Sequence, residues 1–200
     1  MEKNVIVTLF NVESEGYQAL SELKQAPGTD TYLVAAAALV KKENGKVEVV
    51  DAFDTGVKTT DDAVTGGLVG MAAGILAGPL GMLLGASYGA LVGMTLDSVD
   101  VQQGLSMLER VSSKLDDGMF ALIALADETA PDALDEKLSA FDTVIARFDA
   151  DVVADEVARA QEMQKEMARL ARLELRNERK ARETEAHAET IANFKARNKD

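Results

Sequence analysis

The chain has 200 residues, 47% of them apolar, which suits one moderate domain with an appendage or two small domains. A formal net charge of -13 at pH 7 excludes a generic attraction to nucleic acid or an anionic bilayer, because like charges repel. The absence of cysteine excludes disulfides, thiol catalysis and cysteine-ligated metals, and aromatic residues at 4% without tryptophan leave no stacking platform for bases.

The opening residues are not patterned as a signal peptide: the apolar run is short, acids follow at once, and no small-residue cleavage site appears. The N-terminal part is therefore expected in the cytoplasm. Residues 4–10 (NVIVTLF) read as a buried strand. Residues 14–26 read as a helix with Ser14 as N-cap and Tyr17, Leu20 and Leu23 on one face, stopped by Pro27-Gly28. The alanine-rich run 31–41 reads as a buried strand. Asn44-Gly45 follows it, and such a pair between apolar segments accepts the positive φ of a tight hairpin turn. Residues 47–53 then form the returning strand.

Residues 63–96 contain no charge. As one helix, 34 residues would be about 51 Å long, more than the ~30 Å hydrocarbon core of a bilayer. Gly78-Pro79 at the centre predicts a turn between two antiparallel helices, about 63–77 and 80–96. Gly66, Gly70, Gly74 and Gly78 are four apart, as are Gly81, Gly85, Gly89 and Gly93, so each arm presents a glycine face. Such a glycine zipper lets two backbones approach closely, and the expectation is that it is buried against another helix, for packing or oligomerisation. Because the opposite faces are also apolar, the arms are expected in lipid or in the core of an oligomer. The flanks are acidic, with Lys58 the one cation nearby, so the positive-inside rule assigns no orientation.

Residues 99–115 place Val101, Leu105, Leu108, Val111 and Leu115 at helical spacing, and residues 119–126 read as a buried strand. The order strand, helix, strand, strand, helix, strand predicts an α+β class: a ferredoxin-like βαββαβ sandwich built from residues 1–55 and 99–150, interrupted by the hydrophobic hairpin 56–98. Pro131 to Ala140 reads as a short helix and 143–148 as an edge strand. Residues 151–200 form a long charged C-terminal helix. Its apolar stripe, from Val153 through Val157, Ala160, Met163, Met167 and Leu170 to Leu173, fades after Leu175. A short coiled coil is one option for it. Residues 176–200 hold seven Lys/Arg against five Asp/Glu and are the one stretch able to act as a basic arm.

No catalytic constellation is legible. His187, the single histidine, sits in the charged tail and reads as a solvated residue. The glycines of Thr65–Gly70 lack the preceding strand and the spacing of a dinucleotide loop. Asp51, Asp54, Asp61, Asp62, Asp97 and Asp100 could gather at the hairpin base, where a solvated collar is the plainer reading than a hard-cation site. No catalytic, cofactor or metal residue is assigned.

The opening NVIVTLFN, the paired strands around ENGK and the segment GGLVGMAAGILAGPLGMLLGASYGALVG resemble a bacterial family of predicted membrane proteins with a domain of unknown function, number 1269. The resemblance covers about residues 1–150. It implies membrane association and a stress-related role and supplies no catalytic residues. The expected function is that of a non-enzymatic, membrane-associated structural or scaffold protein. Its domain would lie on the cytoplasmic side, its partners being membrane lipid and further copies of itself. A soluble homo-oligomer with buried hairpins, or a small-ligand- or metal-responsive binding domain, are the alternatives.

Overall fold

A computed structural model describes residues 2–56, 65–85 and 106–197. The chain divides into two compact units, Met1–Gln161 and Glu162–Asp200. In order, the elements are β1 (Glu2–Phe10), α1 (Glu13–Gln25), β2 (Tyr32–Glu43), β3 (Lys46–Asp54), α2 (Thr65–Ala77), α3 (Pro79–Gly85), α4 (Ser106–Lys114), β4 (Phe120–Glu128), α5 (Pro131–Leu138), β5 (Thr143–Asp149) and α6 (Ala150–Arg197). The class is α+β, with one five-stranded antiparallel sheet in the order β3-β2-β4-β1-β5 and a long C-terminal helix.

Strand positions follow from which faces each sequence can bury. From Phe120 to Ala126 every residue of β4 is buried, so β4 must lie in the middle with a layer on both sides. In β3 only Val47 is buried, while Lys46, Glu48, Asp51 and Asp54 are exposed, as suits an edge. The β2–β3 hairpin turns at Asn44 (φ 53°) and Gly45 (φ 74°), as their sequence requires. The expected βαββαβ scheme had four strands, and the sheet has five. In it β4 separates β1 from β2, and β3 pairs with β2 alone. The N-cap of α1 also differs: the position is held by Val12 with no side-chain hydrogen bond, and Ser14 lies inside the helix. The short residues 143–148 do form an edge strand, β5, on the far side of β1.

Alternate residues of each strand face opposite sides. On the first face Ile6, Phe10, Leu39, Phe120 and Leu122 pack with Leu20 and Leu23 of α1 and Leu134 and Leu138 of α5 in one buried cluster. The second face, with Val5, Val7, Ala38, Val40, Ile123 and Leu125, is covered over β2, β3 and β4 by α2. α3 and α4 pack beside α2. Along α6 the stripe is buried at Val153, Val157 and Ala160. Within the second unit Leu170 and Leu173 are exposed, with ion pairs such as Glu166–Arg169 along the helix surface.

A charge cluster around the buried Glu128 carboxylate ties four elements of the first face. The Arg147 Nε donates to Glu128 Oε2 at 2.8 Å, and its Nη2 donates to Glu128 Oε1 at 3.0 Å and to Asp135 Oδ1 at 2.7 Å. The Asn4 Nδ2 donates to Glu128 Oε2 at 3.0 Å. These bonds, Glu128 first and Asp135 second, hold the guanidinium above its ordinary pKa despite partial burial. The Glu128 side chain has no exposed surface, and Arg147 is the cation paired with it. Arg147→Met should therefore cost about 3–5 kcal/mol in urea unfolding. The pair Arg147→Met with Glu128→Leu should regain most of it, because no orphan charge then remains.

Candidate functional site

The segment singled out by sequence begins at α2. Leucine, isoleucine, methionine and alanine supply its helix propensity against the cost of the interspersed glycines. Leu68, Val69, Ala72, Ala73, Ile75 and Leu76 are buried against the sheet layer, at about 1.5–3 kcal/mol for each large aliphatic side chain. The helix stops at Gly78, whose N–H donates to the Ile75 carbonyl at 3.1 Å. Pro79 opens α3 at the first helical position, where its missing N–H has no intrahelical partner to lose. α2 and α3 contact one another across this bend.

The glycines fall into two physical groups. Gly70 and Gly74 are exposed, and a Cβ at either would meet nothing within 4 Å. Gly67 is exposed beside them, with only the Met71 Cε at 3.6 Å from such a Cβ. Gly81 is the opposite case: it is buried, and a Cβ there would overlap the Leu76 carbonyl oxygen. Here the start of α3 lies directly against the backbone of α2, and a side chain at this position would force that backbone to shift. Gly78 is half-buried at the bend. Gly66 lies in the first turn of α2 and Gly85 ends α3. Gly89 and Gly93, like Asp61, Asp62, Asp97 and Asp100, lie outside the described residues.

The expectation that the glycine face of the first arm is covered by another helix is not met by any described residue of this chain. The apolar face of α2 is covered instead, because the second face of the sheet needs a lid and the leucine side carries the larger burial. Among the described residues no helix is long and apolar enough to cross a membrane, and no group of three or more acids and histidines could hold a metal ion. Asp51 and Asp54 are exposed on β3, each accepting a hydrogen bond from a nearby backbone N–H, of Ala52 and Gly56. His187 is exposed on α6.

A carboxylate not singled out by sequence sits beside this segment. Glu156 of α6 is 1% exposed and accepts the N–H groups of Met107 (3.0 Å) and Leu108 (2.7 Å) in the first turn of α4. It satisfies two of the four N–H groups that a helix start leaves without partners. Burial pushes its pKa up, against the lowering effect of these two bonds and of Arg159. The signal was present: an acid flanked by Val153 and Val157, within the apolar stripe itself.

The family described as "protein of unknown function (DUF1269)" matches residues 63–164. The chain belongs to this family. No curated protein and no solved structure matches it. The DUF1269 match begins just before α2 and extends into α6, rather than covering 1–150. It therefore takes in the glycine-rich lid, β4, β5 and Glu156, and leaves out β1, the strand with which both β4 and β5 pair.

Two measurements test this geometry. Gly81→Ala should destabilise the fold by on the order of 1–3 kcal/mol through overlap with backbone, whereas Gly70→Ala should be neutral or stabilising by up to about 1 kcal/mol. Thermal unfolding of the two variants compares them directly. For Glu156 the sign follows from its raised native pKa: the folded state holds the proton to higher pH than the unfolded state. Wild-type stability relative to Glu156→Gln should thus fall as pH rises through the range above the ordinary carboxylate pKa. Urea unfolding between about pH 4 and pH 7 reads this difference; parallel curves for the two proteins would contradict it.

Proposed function

We propose that this protein is a non-enzymatic structural or scaffold protein that self-associates through the outward face of α2. The observation that carries the reading is the open glycine surface at Gly67, Gly70 and Gly74. An exposed helical glycine is about 1 kcal/mol less favourable than alanine, and nothing among the described residues requires glycine at Gly70 or Gly74. Another helix backbone laid on that surface supplies the compensating contacts. A second copy of α2 offers the same surface, so a two-fold arrangement is self-complementary. Met71, 37% exposed, borders it and adds an adaptable apolar rim.

The reading takes the sheet as a ferredoxin-like scaffold. It is supported by two units, β1-α1-β2 and β4-α5-β5, whose strands each flank a third. On this view β3 and α2–α4 are an elaboration inserted between them. A membrane-bound form of the same scaffold, with the sheet domain on the cytoplasmic side, rests on the uncharged run 63–96. It requires α2 to leave the sheet and uncover Ala38, Val40 and Ile123. A stress-related role belongs with either form.

Sedimentation velocity tests the proposal. Wild type should sediment as an oligomer, and Gly74→Leu should shift it to a monomer without lowering the unfolding temperature. A wild-type monomer, or a Gly74→Leu oligomer of unchanged size, rejects the α2 face. Flotation with neutral phospholipid vesicles separates the forms: protein rising with the vesicles favours the membrane-bound one.

A further inference from the structure

α2 covers the second face of the sheet over β2, β3 and β4, and that face continues across β1 and β5. There, beside α4, lies a cleft of about 680 Å³. Its floor is apolar and paired in register: Val7 opposite Ala146 and Leu9 opposite Val144, with Phe148 at one end. Val144 is 67% exposed, a large value for a β-branched side chain in a strand whose neighbours point to a core. A cleft of this size falls in the range of small-molecule sites.

The rim carries charge in a definite order. Arg110 and Lys114, one helical turn apart on α4, stand along it. The Arg110 guanidinium lies over the Phe148 ring at 5.7 Å from its centroid, which fixes one cation above the apolar floor. Among the described residues neither Arg110 nor Lys114 is in an ion pair, in a chain of net charge -13. Asp116 and Asp142 line the same cleft, at the end where β5 begins, away from Phe148. They repel an anionic head from that end and leave the Arg110 end for it.

We infer that this cleft binds a small amphiphilic monocarboxylate, its alkyl or aryl body on the β1–β5 floor and its carboxylate between Arg110 and Lys114. The site is separate from the glycine face of α2, and neither reading depends on the other. An alkyl chain accounts for the aliphatic floor on which Val144 stands exposed, and a single anionic head accounts for two cations outside any ion pair among the described residues. A dianion would meet the two aspartates with its second charge.

Titration calorimetry on the full chain, with decanoate below its micelle concentration and decanol as the uncharged match, tests the assignment. Decanoate should bind more tightly than decanol. Arg110→Gln with Lys114→Gln should weaken decanoate about tenfold or more and leave decanol unchanged. Val144→Asp should weaken both. These three side chains are solvent-facing, and far-ultraviolet circular dichroism confirms that each variant keeps the fold. No heat with decanoate overturns the inference, as does decanoate binding that is indifferent to the Arg110/Lys114 pair or to Val144→Asp.

Discussion

The structure depends on β4 being apolar on both faces. A strand with no solvent-compatible side must be central and must be covered twice. α1 and α5 cover it from the first face. The second cover comes from α2, whose buried residues Leu68, Val69, Ile75 and Leu76 lie in the glycine-rich run. The segment that reads most strongly as membrane-seeking is thus also the segment the sheet cannot do without. Hydrophobicity alone does not distinguish these roles, since lipid and a sheet face are equally apolar surroundings. What distinguishes them is that α2 has one side chain–rich face and one bare face, and among the described residues only the former is occupied.

Most elements were legible because their signals are local. The Asn44-Gly45 turn, the Pro27-Gly28 stop, the edge strand at 143–148 and the long C-terminal helix all depend on residues within a few positions of each other. Strand order was not local. The βαββαβ scheme followed from counting elements, whereas the burial demand of each strand decides the sheet. That demand was visible in the contrast between KVEVVDAFD, studded with acids, and FALIALA, which has none. The Ser14 cap failed for a different reason. α1 begins at Glu13, one residue before Ser14, and its acids Glu13 and Glu15 favour the positive end of the helix without a side-chain cap.

The glycine spacing carried mixed information. An interval of four is the same whether a glycine is needed for close backbone approach or presents a bare surface. Gly81 belongs to the first kind, because the Leu76 carbonyl leaves no room for Cβ. Gly70 and Gly74 belong to the second, with open space around them. The bend at Gly78-Pro79 changes the direction of the chain, so glycines on either side of it cannot share one continuous face. Likewise the residues that join distant parts, Arg147 with Glu128 and Glu156 with the start of α4, were hidden because their partners are 19 and 48 or more residues away in sequence.

The two surfaces proposed as functional have a common origin. A single helix, about 10–12 Å across with its side chains, is narrower than five strands about 4.8 Å apart. Seated over β2, β3 and β4, α2 leaves β1 and β5 to α4, a helix of nine residues. Beside α4, the strip over β1 and β5 keeps room for a cleft with an aliphatic floor. Had α2 carried leucine on both sides, it would expose an apolar ridge of the kind that drives indiscriminate association. Glycine there removes the side chains while keeping a surface that only a closely fitted helix can use. The same shortage of covering material therefore explains why one part of this face accepts a backbone and the other has room for a small molecule.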